Sequence, residues 1–498
     1  MFTYLNTFNG LNVFELESHQ TSTHSHDMMI EDAAPHWFAL QDFVAALALG
    51  FFVALFIFRY LRCVVGIWTW WTFKPKPISE KPLYKSSDVT VVVPTTFKAP
   101  GELVKCLKGI MSCSPAAVFV VTSHPNVELV KTCCALHSFR DIKVLGVDKL
   151  NKRVQMRKAL KEIETEITVL ADDDVVWPSF KYLDYLLAIF EDPEVGAGGT
   201  RQRVSRRSGN FWNFLGICYL ERRVWNNIST NAIDGSISTL SGRTAAYRTE
   251  ILKNDDFFHY FTHDSWRGRP LNSDDDKCLT RYVYKNGWRI AIQSDPNAII
   301  ETILEEDSKY ISQCLRWARA HWRGNLIVME NESYWRSWKY CWGLYVIYWG
   351  QFQTPALLVD GSLFALLYLA LIESRPEHRI LAFSLLGSWI FFTKIMKLIP
   401  HFIRHPGDLK FIPISIAFSY LHGMINVYAA YTLTHTHWGS HNLEALQAAR
   451  ATDAEVVPLL RHAVHEAEEY HEPTPGRLMV GDDYFSVRPL TEVAAVSA

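Results

Sequence analysis

The sequence predicts an α/β fold: a mostly parallel sheet domain embedded between N- and C-terminal transmembrane or interfacial helices. Three observations carry that prediction. Short β-branched runs alternate with helix-compatible segments between about residues 85 and 325, and such alternation requires crossover connections and hence parallel strands. An apolar stretch at 38–58 is long enough to cross a bilayer. Three more apolar stretches, 354–372, 380–399 and 411–433, follow the α/β region.

Composition narrows the function. With 498 residues the chain has room for two or three domains, and its net charge of -2 argues against a nucleic-acid partner. Seventeen Trp suit membrane interfaces or surfaces on which sugars stack. The nine Cys are scattered without a CxxC, which predicts reduced thiols facing the cytosol, with neither a disulfide framework nor a zinc site.

Residues 1–36 are polar and lack the basic n-region of a signal peptide, so they read as an extracytoplasmic segment. Residues 37–73 read as a transmembrane helix with a Trp-rich interfacial extension. Arg59, Arg62, Lys74, Lys76 and Lys81 follow the apolar stretch and place what comes next in the cytoplasm. Strands are predicted at 89–94 (VTVVVP), 117–122 (AVFVVT) and 143–146, and a helix over 154–166.

The next strand, in ITVLADDDVVWP at 167–178, ends in Asp172, Asp173 and Asp174. A buried strand running into carboxylates sets them at the carboxyl edge of a sheet, where open α/β folds bind ligands. Asp172 and Asp174 can offer oxygens to one hard divalent cation. Alone, the turn reads equally as a solvated acidic turn.

Beyond it, GAGGT at 196–200 reads as a flexible turn, 219–225 as helical, and Ser241-Gly242-Arg243 as a turn before a small-residue run. A second acidic cluster, NSDDD at 272–276, predicts a helix running to Lys285 and capped by Asn272 or Ser273. By itself the cluster reads first as an acidic first turn that stabilises the helix dipole. Gln313, Arg316 and Trp317 share a helix face, suited to phosphate and a sugar ring together; a basic amphipathic membrane helix is the alternative. Residues 326–440 are expected to hold interfacial helices and two or three spans. Lys394 and Lys397 with the basic loop at 401–410 return the chain to the cytoplasm. The 411–433 stretch carries Pro413, Ser415, Ser419, His422 and Asn426 and is expected to lie in the interface. Residues 441–498 read as a partly disordered cytoplasmic tail.

Taken in order, Val93-Pro94-Thr95, Lys152-Arg153, Asp172–Asp174, Ser241-Gly242, Asp275-Asp276 and Gln313–Trp317 resemble the elements of membrane-embedded, inverting family 2 glycosyltransferases. Hyaluronan synthases and fungal capsular-type polysaccharide synthases are the kind most resembled. Trp438-Gly439-Ser440 is similar to that family's gating loop. Where such enzymes often carry an acidic pair that touches uracil, Thr122-Ser123-His124 stands here.

The resemblance implies a nucleotide-sugar-binding (GT-A-like) domain in a multi-pass protein, its catalytic domain cytoplasmic, in the plasma membrane. The implied reaction passes a sugar from a UDP-sugar to a growing polysaccharide acceptor with inversion. Asp276 would be the general base, with Asp275 beside it, and Mg2+ or Mn2+ would sit between Asp172 and Asp174. Pro94, Thr95, Lys152, Arg153, Asp172, Gln313 and Arg316 would bind the donor. Ser241, Gly242 and Trp317 would hold the acceptor, and Trp438 and Gly439 would gate. A lipid glycosyltransferase of the ceramide glucosyltransferase kind is the alternative; a transporter or channel fits less well, because the apolar segments hold few ionisable residues.

Overall fold

A single long helix, α1 (His24–Thr72), leads into the chain and continues past the predicted span without a break, as the Trp-rich extension requires. The structure, a computed structural model, describes residues 24–139 and 141–435. After α1 the buried apolar runs become β1 (Val89–Pro94), β2 (Ala117–Ser123), β3 (Ile142–Val147) and β4 (Ile167–Ala171), all mutually parallel. Their crossovers contain α2 (Pro100–Ser112), α3 (Val127–Leu136) and α4 (Lys152–Leu160). The last of these is shorter than the predicted 154–166. Asn151 starts it early by accepting from the Arg153 and Val154 amides, and beyond Leu160 the chain turns so that Ile163 enters the core.

The irregular half of the sequence completes the sheet with β5 (Val195–Thr200), β6 (Thr244–Arg248) and β7 (Arg289–Gln293), in the order β7-β5-β6-β4-β1-β2-β3. GAGGT is therefore a buried strand and not a flexible turn. Its glycines are packing devices: a Cβ on Gly198 would lie 1.9 Å from Ile189 Cδ1 and 2.9 Å from the Ala291 carbonyl. Strand β6 runs antiparallel between β4 and β5, so its beginning lies at the edge where its parallel neighbours end. Apolar side chains cover both faces of the sheet. The domain is the GT-A-like α/β fold that the strand pattern and the resemblance implied.

Three of the following helices line the site, α5 (Phe211–Asp234), α6 (Asp275–Lys285) and α7 (Lys309–Asn331), and after a run of short helical turns at 334–353 comes α8 (Ala356–Ala370). They are followed by α9 (Pro376–Ile395) and α10 (Ile412–Tyr431). By length and composition three segments could cross a membrane: Leu40–Thr72, Pro376–Arg404 and Pro406–Tyr431. Trp338–Gln353 and α8 qualify only as a pair, bent by 87°.

Tyr60 of α1, Leu363 and Leu367 of α8, and Leu386 and Ile390 of α9 form one apolar cluster. Helix α10 packs against α5 and α7 and also meets α8 and α9, with Lys394 Nζ 4.0 Å from the Tyr420 ring centre, and it is tied to the sheet domain at both ends. Before its start, Arg206 grips Asp408. Past its end, Arg323 donates to the Leu433 and His435 carbonyls at 3.3 and 3.0 Å. Between them Arg222 donates to Ser415 Oγ at 2.8 Å and Trp322 Nε1 to the Asn426 carbonyl at 3.1 Å.

Candidate functional site

The sheet's topology brings the scattered motifs together. Parallel strands β1 and β4 end at one edge, which sets Pro94-Thr95 beside Asp172–Asp174, and antiparallel β6 begins there, which adds Ser241-Gly242-Arg243. The Asp172 amide donates to the Arg243 carbonyl at 2.9 Å and stitches the two turns. All eight line one cavity of about 770 Å³ with Lys152, Asp275, Asp276, Gln313, Arg316 and Trp317.

Lys152, at the start of α4, bridges the two acidic clusters, with Nζ 2.6 Å from Asp172 and 3.1 Å from Asp275. Burial works against its charge, but the two carboxylates outweigh that and hold its pKa well above the ordinary value. Asp275 stays below the usual carboxylate range, because Lys152 and Arg153 overcome the effect of its own burial. Asp276, the more accessible of the two, is raised by burial and then by the neighbouring Asp275. One of its oxygens accepts the Lys277 amide at 2.8 Å.

Asp173 accepts from the Thr95 hydroxyl at 2.5 Å, and burial pushes its pKa to about 6. Asp174 rises further, to about 8, through burial and the charges of Asp172 and Asp173. Its buried Oδ1 has no hydrogen-bond partner. The orphaned Asp174 oxygen next to the Asp172 carboxylate suits a hard divalent cation, while no cluster of three or more His, Cys, Asp or Glu forms a ready-made metal site among the described residues.

Gly242 faces the same cluster. A Cβ there would meet Lys152 Nζ at 3.2 Å and Asp276 Cβ at 3.4 Å, so this residue must be small for the loop to lie against the acidic pair. Across the cavity Trp317 is stacked on Tyr219 of α5, ring centroids 5.0 Å apart, and lies beneath the Arg243 guanidinium. Gln313 presents a buried Oε1 without a partner, and Arg316 lies alongside Trp317.

Two expectations need correction. Arg153 points away from the cavity: its guanidinium, 3 % exposed, donates to the Phe261 and Ser273 carbonyls at 2.7 and 2.8 Å and pairs with Asp264 at 3.0 Å. With those bonds made beneath the turn before α6, it braces that turn, and its remaining Nε is buried and does not face the cavity. Nor does Asn272 or Ser273 cap α6. The cap is Asp274, held left-handed at φ 62° without a side-chain cap bond, because Arg323 claims its carboxylate at 2.9 and 3.1 Å. Trp438 and Gly439 lie outside the described residues.

Sequence reasoning missed Tyr219, Arg223, His321 and the Asp274–Arg323 pair. The pair spans 49 positions, and no local pattern announces it. Burial, with Lys277 and Arg223 adding to it, holds His321 well below the ordinary imidazole value, while burial brings Lys277 down to about 8. Tyr219, Arg223 and Asn227, four residues apart on α5, extend the cavity away from the sheet. There it meets Arg59 and Arg62 of α1, Thr354 at the 87° bend, and His422 and Asn426 of α10.

A family described as "Glycosyltransferase like family 2" matches residues 87–320. A type 2 glycosyltransferase of Gibberella zeae is 42 % identical over 78 % of this chain and 75 % of its own length. A hyaluronan synthase of Streptococcus pyogenes is 21 % identical over 77 % of this chain and 89 % of its own. Among solved structures, a mannosyltransferase from Pyrobaculum calidifontis in complex with GDP-mannose and Mn2+ aligns with a TM-score of 0.48 and 17 % identity, over 79 % of this chain and 100 % of that one.

Proposed function

The chain belongs to glycosyltransferase family 2 and is an enzyme that transfers sugars; on that premise we propose that it is a processive polysaccharide synthase. It would extend a glycan from a UDP-sugar with inversion and pass the product out between its membrane helices. One observation carries this reading. The cavity that holds both acidic clusters continues without interruption to residues of α1, the bend before α8, and α10.

In this reading Asp276 takes the proton from the acceptor hydroxyl as that oxygen attacks the anomeric carbon. Its raised pKa makes it a stronger base than an exposed carboxylate. Asp275 is locked to Lys152 and so keeps the lysine in place instead of moving a proton. Lys152, Gln313 and Arg316 hold the diphosphate, and Pro94 and Thr95 shape the nucleotide's side of the cavity. Ser241 and Gly242 let the acceptor approach Asp276, and the Trp317–Tyr219 stack supplies a flat apolar face for its terminal ring. Mg2+ or Mn2+, held by Asp172 and Asp174, would supply charge neutralisation to the leaving nucleotide diphosphate.

We further propose three crossings, by α1, α8 and α9, with α10 in the interface against the sheet domain. Although α10 is apolar and long enough to cross, its ties to Arg206 and Arg323 support the interfacial placement. In this reading the sheet domain lies in the cytoplasm and the protein sits in the plasma membrane.

Membranes containing the chain, supplied with radiolabelled UDP-sugars and Mg2+ or Mn2+, are expected to form product that stays aqueous and elutes at high molecular weight. A product that partitions wholly into organic solvent as a single-sugar lipid would replace this reading with a lipid glycosyltransferase.

A further inference from the structure

Where the cavity turns from the acidic clusters toward its membrane-side arm, it is lined by three polar side chains that the reaction described above leaves unused. They are Lys277 of α6, Ser238 in the loop before β6, and His321 of α7. Lys277 directly follows the base Asp276 and is 5 % exposed. Among the described residues it forms no ion pair; its Nζ donates to the Ser238 carbonyl and to Ser238 Oγ, both at 3.3 Å. Helix α7 makes room for it with Gly324, where a Cβ would lie 2.2 Å from Lys277 Cδ. A buried ammonium needs acceptors for all three of its N–H groups, and Ser238 supplies two.

The hydrogen bonds around His321 fix the direction of the rest. Gln351 Nε2 donates to the Met329 sulfur at 3.6 Å, and Gln351 Oε1 accepts from Asn325 Nδ2 at 3.2 Å. The same Nδ2 faces His321 Nε2 at 3.3 Å. That nitrogen is therefore the acceptor, and the neutral imidazole carries its proton on Nδ1. Nδ1 in turn donates to Ser238 Oγ at 3.2 Å. With both lone pairs of Oγ taken, Ser238 has only its own O–H to offer, and no described residue accepts it. One N–H of Lys277 and the O–H of Ser238 are thus left as donors for whatever fills the cavity beside Asp276.

A sugar offers oxygen lone pairs at each hydroxyl and at its ring. We propose that Lys277 and Ser238 hold the terminal sugar of the acceptor through one such oxygen, and that this sets its attacking hydroxyl against Asp276. A protonated amino group in that place would meet an ammonium and is rejected. His321 is a positioning residue that keeps the Ser238 hydroxyl turned outward. The inference rests on reading Asp276 as the base and a sugar chain as the acceptor.

The test uses the full-length protein in detergent with Mn2+ and the radiolabelled UDP-sugar that it turns over fastest. Each donor ends in polymer or in free sugar, and the ratio of transfer to hydrolysis measures how well the acceptor is held. Lys277→Met and Ser238→Ala are each expected to lower that ratio about tenfold, while the donor KM stays within about twofold. Ser238→Ala, which removes one half-buried hydroxyl, decides the question if Lys277→Met does not fold. His321→Phe should lower the ratio as Ser238→Ala does, and the two together no further. A pH profile adds a readout that a merely structural lysine would not move. Burial brings Lys277 down to about 8; Asp276 and Asp274 of α6 oppose that fall, and Arg223 of α5 and Arg281 of α6 add to it, with neutral His321 facing from α7. Its charge is lost as pH rises through that value, so the wild-type ratio should fall there and the Lys277→Met ratio should stay level.

An unchanged ratio in either variant, or transfer and hydrolysis falling in equal proportion, would overturn the proposal. A raised donor KM in Lys277→Met would overturn it too by assigning the lysine to the donor, and so would a fall above pH 8 that persists in that variant. These outcomes are separable from a failure of the synthase reading. A single-sugar lipid product sinks that reading whatever the variants do, whereas an unaltered ratio beside high-molecular-weight product sinks only the inference.

Discussion

Replacing Arg323 is expected to damage this protein from within. Its guanidinium and the Asp274 carboxylate meet through two bonds of 2.9 and 3.1 Å, with side chains only 2 % and 4 % exposed. In Arg323→Ala the carboxylate stays buried without a partner, which costs about 3–5 kcal/mol. Asp274 is also held at φ 62°, a conformation that costs a non-glycine residue roughly 1 kcal/mol; that strain remains once its restraint is gone. The same change frees the Leu433 and His435 carbonyls.

Chemical denaturation of the purified protein in detergent should therefore show a stability loss of several kcal/mol in Arg323→Ala. Adding Asp274→Gly removes both the orphaned charge and the strain, because glycine adopts positive φ readily, and the double variant should recover most of the loss. Its turnover should stay low by a factor of ~10–10², since the start of α6 is no longer fixed and displacements of about 1 Å can cost that much. A loss below about 1 kcal/mol in Arg323→Ala, or no recovery in the double variant, would refute the argument that this pair sets the position of Asp276.

The remaining expectations concern the chemistry. Asp172→Asn and Asp174→Asn should each abolish transfer and weaken nucleotide binding, and EDTA should do the same to the unaltered enzyme; full activity in any of these assays would remove the metal reading. Asp174 near pKa 8 without a cation must lose a proton to bind one, so affinity for Mn2+ should fall about tenfold per pH unit below that value, as calorimetry at several pH values would show. Asp276→Asn should lower turnover by ~10²–10⁴ with nucleotide affinity retained. Because the Asp276 pKa is raised and its ionised form is the base, kcat should fall as pH drops through a value above the ordinary carboxylate range; an acid limb at that ordinary range would move the role elsewhere. Trp317→Ala should cripple elongation and Trp317→Phe should shorten the chains, read by gel filtration of labelled product.

Much of the site was legible because its residues follow directly on strand ends. Asp172–Asp174 closes an unmistakable apolar strand, and parallel topology alone then sets it beside Pro94-Thr95. Gln313, Arg316 and Trp317 share a face by helical period. The failures have physical causes. β5 is glycine-rich because Ile189 and the Ala291 backbone crowd it, and its composition imitates a turn. Arg153 sits next to Lys152, yet successive helix positions point in different directions, and it turns inward to brace the acidic turn. Asp274 takes a conformation that no local residue requires; it depends on Arg323, distant in sequence.

The central claim is that one enzyme molecule keeps its acceptor through many additions. Its most direct measurement is the size distribution of labelled product at low conversion, with acceptor sites in excess over the chains completed. The account predicts long chains from the earliest time points, with little material of intermediate length, as retention on Trp317 and in the membrane-side arm requires. A product that gains one sugar per encounter, or lengthens uniformly across the whole population, would contradict it.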